Sequence, residues 1–407
     1  MPQRPHGIWY LIIICSCVFA LLYFWATLFP NQPPAELWRY FTVDQANRSR
    51  AYNLGLRLAY IGSFVLQAGF LFWLVQSGRA AELERWVQIF TRQNYWASVL
   101  TFFSLVWLML LALNLPFSFF SNYAWQHAWG FSTQGLTAWW SDFLKSAALD
   151  AVLAGGGVLA FYWLTGHWPR TWWLFGAVCF SLWLAIQSFL WPVVVAPLFN
   201  KFVPATDPAV VDMVHALAAK AGLPVDQVLI MDASSRTTKA NAYFAGLGRT
   251  KQIVLYDNLL KNYPPQEVKA VVAHEMAHWS RGHIAKGLLL GTAGNLIVWY
   301  LLYLVLGSPL GVNGRFPPQV WVLVLLFFTL VSFAGNPVQN YFSRGMEAEA
   351  DRYALVYTGD PEAQVRLQVD LAVKNLADLA PPRFIEWFSY THPAALERIH
   401  LAEQAGQ

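Results

Sequence analysis

Charge is scarce in this chain. Only 12% of its residues are charged, against roughly a quarter in ordinary soluble proteins, and the net charge of +4 is too small to build a nucleic-acid surface. Nucleic acid is therefore not an expected partner. Cysteine is nearly absent: Cys15, Cys17 and Cys179 are the three, all within apolar stretches, which excludes a disulfide framework and a cysteine metal site. No internal repeat and no low-complexity stretch is visible, which excludes a solenoid or a disordered linker.

Long apolar runs are abundant. Residues 8–29, 55–77, 97–118, 147–165, 172–197, 285–307 and 318–336 each read as a segment of bilayer length. The first is too long for the apolar core of a signal peptide and no small-x-small cleavage site follows it, so it counts as a span. Seven spans place the two ends on opposite sides. Trp38, Trp139, Trp140, Trp172 and Trp173 lie near segment ends, where interfacial anchors belong. Gln67, Asn114, Asp150, Gln187 and Asn295 fall within spans, and are expected to bond between helices or to face a watery cavity. The Lys and Arg of the loops divide between the two sides, with Lys201, Arg281 and Lys286 tilting towards a cytoplasmic side for the polar residues that follow.

Those polar residues concentrate in 198–284 and 338–407. The expected organisation is spans one to five in 1–197, a soluble domain begun in 198–284, spans six and seven in 285–337, and the rest of the domain in 338–407. Asp207-Pro208 opens an amphipathic helix that stops near Gly222. Val228 to Met231, Asn241 to Phe244 and Ile253 to Tyr256 read as short strands, with a turn at Gly246-Leu247-Gly248. Pro264-Pro265 opens another helix, and a later one holds Arg344 to Tyr357 and stops at Gly359.

The helix begun at Pro265 carries His274-Glu275-Met276-Ala277-His278. Two imidazoles four residues apart share one helix face and can hold a zinc ion, and the carboxylate beside them can take a proton from water. A third ligand is expected on another element. Glu347 and Glu349 are the candidates, pointing about 200° apart on a helix, so one alone can face the metal. Glu347 shares its face with Asp351 at i+4, and Asp351 can accept a bond from the outer nitrogen of a ligating histidine. Glu347 is thus the expected ligand and Glu349 the solvated residue. If the histidine helix runs on unbroken, His278 lies only about 10 Å from span six, and both metal-bearing helices extend from the membrane.

The combination of His274 to Trp279, Glu347-x-x-Ala-Asp351, Asn241-Ala242-Tyr243-Phe244, Leu115 to Ser118, Ala196 to Phe202, and His392-Pro393 with Arg398 resembles the integral-membrane CaaX prenyl endopeptidases, zinc proteases of the gluzincin type. The resemblance covers nearly the whole chain. It implies an α-helical membrane protein whose seven helices surround a chamber, capped by a mostly helical α+β metalloprotease domain. It implies one Zn2+ on His274, His278 and Glu347, Glu275 as general base, His392 near the scissile carbonyl and Arg398 organising the site. Asn241 and Ala242 would lie on an edge strand that pairs with the substrate backbone. For His392 the competing role is a cap before Pro393 at the start of the last helix; His283 belongs to the same stretch and reads equally as a surface histidine or as one standing behind the ligands. The implied partners are a peptide or protein substrate, with or without a lipid, and membrane lipids; no oligomeric state follows. Short loops and the tail Gln404 to Gln407, which shows no retrieval signal, read as a bacterial member in the inner membrane. Membrane-protein quality control and a transporter with a vestigial metal site are the alternatives.

Overall fold

The computed structural model describes residues 7–225, 227–245, 252–309 and 314–406. The expected turn at Gly246-Leu247-Gly248 lies outside the described residues. The first half holds α1 (Gly7–Leu28), α2 (Val43–Gln76), α3 (Arg79–Phe90), α4 (Tyr95–Phe119), α5 (Trp125–Ala128), α6 (Leu136–His167) and α7 (Trp172–Leu190). The second holds β1 (Phe202–Pro204), α8 (Pro208–Ala221), β2 (Val228–Met231), β3 (Ala242–Ala245), β4 (Gln252–Tyr256), α9 (Asp257–Asn262), α10 (Pro265–Ser280), α11 (His283–Leu306), α12 (Val320–Thr358), α13 (Pro361–Lys374), α14 (Arg383–Ser389) and α15 (Ala395–Ala405).

Among the described residues, seven helical stretches are long and apolar enough to cross a membrane, one on each of the seven apolar runs. Several overshoot it. The 34 residues of α2 and 39 of α12 correspond to about 50 and 58 Å, against about 30 Å of hydrocarbon. The excess of α12 lies at its C-terminal end, where it becomes part of the polar domain: Ala350 and Ala354 are fully buried with Val272 and Met276 of α10, Leu217 of α8 and Ile253 and Leu255 of β4. A second core lies between the spans, around Phe102, Tyr162, Trp172 and Phe327. Trp172 is fully buried there and Trp139 is 6% exposed, so neither is an interfacial anchor as expected; both rings are covered by neighbouring helices.

Only 6% to 39% of each apolar window is buried within the protein. Most of the surface of these spans is therefore left for lipid or for open space between them. Between α2, α4 and α12 lies a cavity of about 590 Å³, whose mostly apolar wall, with Leu56, Phe64, Phe117 and Phe333, is crossed by a row of polar side chains. Ser63 bonds Asn114, Asn114 bonds Gln67, and Gln67 reaches Thr329. Asn295 of α11 donates to the Ala177 carbonyl of α7, and Asp150 accepts from the Trp107 indole. Gly176 sits directly against Trp299, where an added Cβ would meet the ring at 2.2 Å; glycine is what lets α7 and α11 approach.

The four strands form one sheet in the order β1-β2-β4-β3, with β2 and β4 parallel and the outer pairs antiparallel. β1 was not anticipated: it is three residues long and carries Pro204, and shows no alternation to read. Asp207 caps α8 by accepting the Ala209 N–H, and Gly222 ends it at φ 68°. The histidine helix does not run on unbroken. α10 stops at Ser280, Gly282 turns at φ 65°, and α11 starts afresh at His283. Of the two helices that carry the expected metal donors, α12 alone passes from membrane to polar domain unbroken. The last helix opens at Ala395 with Ala394 as its N-cap, not at Pro393.

The N-terminal end of α2 ties the spans to the polar domain. Asn53 donates to the Leu376 carbonyl, and Arg57 meets Asp378 at 2.7 Å with side-chain exposures of 9% and 6%. Asp378→Ala would leave the Arg57 guanidinium buried and unpaired, at a cost of about 3–5 kcal/mol. The purified variant should melt well below the wild type in the same detergent, and an equal melting temperature would refute a structural role for the pair.

Candidate metal centre

α10 is buried along the face that carries Val268, Val272, Ala273 and Met276, and that packing orients the histidines beside it. His274 and His278, one helical turn apart, aim their Nε2 atoms at the same point, 3.1 Å from each other. α12 crosses α10 and brings Glu347 Oε2 to 3.1 Å from His274 Nε2 and 3.4 Å from His278 Nε2. His274, His278 and Glu347 therefore form a three-donor cluster suited to a metal ion. Tetrahedral zinc with bonds near 2.0–2.1 Å requires ligand atoms about 3.3 Å apart, so the spacing fits. The charge fits as well. Burial opposes a charged ring at His274, yet the Asp351 carboxylate outweighs it and pushes the imidazole up to about 9. The cluster is built to hold positive charge.

Asp351 stands behind His274, with Oδ1 2.8 Å from Nδ1, in the geometry of an ion pair rather than a straight hydrogen bond. Arg398 grips the same carboxylate with a fork, Nε to Oδ2 at 2.7 Å and Nη2 to Oδ1 at 2.6 Å. Arg398 thus reaches the donors through Asp351. His392 is turned towards the cluster, with Nε2 3.2 Å from Glu347 Oε2 and Nδ1 against the Thr391 hydroxyl. It does not cap the last helix.

Glu275 lies beside the donors and accepts from the backbone N–H of Phe244 on β3; burial pushes its carboxyl pKa up. That contact follows from register. β3 pairs with β4 through Asn241, whose carbonyl accepts the Tyr256 N–H, so in an antiparallel ladder Ala242 and Phe244 point their backbone groups away from β4. Among the described residues β3 is also the edge of the sheet. Asn241 Oδ1 covers the outward N–H of Ala242 at 2.9 Å. A cavity of about 420 Å³ lies against Asn241, Tyr390, His392 and Arg398.

One expectation is reversed. Glu349 is not on a solvated face: Arg281 Nε lies 2.6 Å, Lys286 Nζ 3.0 Å and His283 Nε2 3.2 Å from its carboxylate. The Gly282 turn folds these three residues back over α12. Of the two readings of His283, the structure favours the one behind the ligands, with its Nδ1 2.9 Å from His278 Nδ1, whereas the Phe244 N–H was not anticipated as part of the site. The one local signal was Gly282 itself, which ends a helix four residues after His278.

The description of peptidase family M48 matches residues 204–405, and that of the CAAX prenyl protease N-terminal region with five membrane helices matches residues 25–201. An uncharacterized metalloprotease of Bacillus subtilis, YhfN, is 31% identical over 350 residues, 82% of this chain and 80% of its own. CAAX prenyl protease 1 of Saccharomyces cerevisiae is 27% identical over 325 residues, 74% of this chain and 71% of its own. The crystal structure of S. mikatae Ste24p superposes with a TM-score of 0.84 at 23% identity, covering 99% of this chain and all of that one (100%), a likeness of fold. With both halves of the chain matched in this way, the protein belongs to peptidase family M48, as a multi-pass membrane metalloendopeptidase resembling the CAAX prenyl proteases.

Proposed function

We propose that the protein holds one zinc ion through His274, His278 and Glu347 and cleaves extended peptide segments of membrane-associated proteins, with prenylated C-terminal tails as the first candidate. The convergence of the three donor atoms at 3.1–3.4 Å, beside Glu275 and the outward edge of β3, carries the reading. Zinc would supply a Lewis acid that polarises water and the scissile carbonyl. Glu275 takes the proton from the attacking water and delivers it to the leaving amine. His392 donates to the oxygen on which negative charge develops. Asp351, held by Arg398, orients His274. The outward backbone groups of Ala242 and Phe244 hold the peptide as an added strand, and the Asn241 side chain moves off the Ala242 N–H to admit it.

The cavity between α2, α4 and α12, with its row of bonded polar side chains, supports a substrate route enclosed by the spans. The bacterial relative and the basic residues Lys201, Arg281 and Lys286 support a bacterial inner membrane with the site on the cytoplasmic side. The test is to offer purified enzyme a farnesylated peptide, the same peptide unmodified, and a compact protein without a flexible tail. The farnesylated peptide should be cut fastest and the compact protein should resist. Efficient cutting of the compact protein would sink the enclosed route. Equal cutting of both peptides would favour general membrane proteolysis over prenyl-protein processing.

A further inference from the structure

His278 has partners on both of its ring nitrogens. Its Nε2 joins His274 and Glu347, while its Nδ1 lies 2.9 Å from Nδ1 of His283 across the Gly282 turn. Two imidazole nitrogens so close need one proton between them, so one ring donates and the other accepts. If Nε2 of His278 offers its lone pair to a metal, a neutral ring carries its proton on Nδ1, and His278 is the donor. His283 then accepts at Nδ1 and carries its own proton on Nε2. That nitrogen lies 3.2 Å from Glu349 Oε2, a carboxylate held in turn by Arg281 and Lys286. One arrangement of protons satisfies every contact in the row, and it is the arrangement that frees His278 Nε2 for a metal.

We propose that His283 and Glu349 are positioning residues: the row His278–His283–Glu349 sets the tautomer and ring orientation of the second histidine ligand, as Asp351 does for His274. The proposal rests on the reading of His278 as a ligand. His283 is 5% exposed, so water does not readily replace its contact to His278. Three acids on α12 then serve one ion by different routes. Glu347 reaches it directly, Asp351 acts through His274, and Glu349 acts through His283 and His278. The competing role is a mere brace, in which His283 and Glu349 only hold the turn between α10 and α11 together with Arg281 and Lys286.

The experiment uses the full chain in detergent. It measures zinc affinity by competition with a chelator and the melting temperature of the metal-free protein. Residues behind metal-bound histidines typically contribute 10–100-fold in affinity. His283→Leu should lose affinity in that range with the metal-free melting temperature unchanged. His283→Asn, whose side-chain oxygen stands near the lost Nδ1, should recover most of it. Arg281→Ala, which breaks an ion pair of the turn but leaves the row intact, should bind zinc like the wild type. Glu349→Gln, with a neutral acceptor for a charged one, should weaken binding roughly threefold or more. It should add nothing further to His283→Leu, because the two act through one row.

Wild-type affinity in His283→Leu, while His278→Ala has lost the metal, would overturn the row and leave the ligand assignment standing. Equal losses in Arg281→Ala and His283→Leu would show a brace and overturn it as well. If His283→Leu does not fold, Glu349→Gln decides, and wild-type affinity there overturns the proposal. Metal retained by His278→Ala would instead overturn the underlying ligand assignment.

Discussion

Glu275→Gln should leave the metal in place and lower peptide cleavage by about 10²–10⁴-fold, the usual cost of losing a general base. The substitution keeps shape and removes basicity. The glutamine amide oxygen can still accept the Phe244 N–H that the carboxylate accepts, so β3 and α10 stay in register. What it cannot do is carry a proton from water to the departing amine. Burial pushes the Glu275 carboxyl pKa up, which makes its carboxylate a stronger base towards water. The measurement is kcat on a peptide, alongside metal content and melting temperature. A variant with full metal and a near wild-type rate would remove Glu275 from the mechanism. Low activity together with low metal would mean that it serves the metal instead.

His278→Ala should carry little metal where the wild type carries close to one zinc per chain. The expected loss exceeds the 10–100-fold that residues behind a ligand contribute, because a direct donor is gone and two remain. Cleavage should fall to background and stay there when zinc is returned. Wild-type protein stripped by a chelator should recover with added zinc. The site favours this outcome electrostatically: His274, 3.1 Å away, is hemmed by Asp351 and Glu347, so positive charge is stabilised there. Equal metal in wild type and variant would count decisively against the assignment.

Much of the fold was legible because its signals are local. A run of about 20 apolar residues is what a bilayer selects, and all seven runs coincide with helices long and apolar enough to span one. Asp207-Pro208 and Gly222 bound α8 because a cap and a left-handed glycine act within one turn. The strand over Val228 to Met231 stands where it was expected. The misreadings concern neighbours. Trp172 was placed at an interface because it ends an apolar run, but Phe161, Trp299, Tyr303 and Phe316 cover it. Glu349 was placed in solvent because it points away from Glu347 on its own helix. Direction around one axis does not say what stands there, and there the Gly282 turn stands with its Arg, His and Lys.

The sequence by itself determined the donor types and their local spacing: two imidazoles one turn apart, a carboxylate between them, and acids two residues apart on a later helix. These are properties of covalent neighbours and of the helical repeat. Only the tertiary structure decided which acid reaches which histidine. Glu347 is 73 residues from His274, and the crossing of α12 over α10 is what brings their donor atoms to 3.1 Å. That crossing depends on small residues, Ala350 and Ala354, buried against the α10 face that carries Val272 and Met276. The same is true of the β3 edge. Its residues could be read as a strand, but that Phe244 turns its N–H towards Glu275 depends on the register with β4, and pairing between distant segments is set by packing.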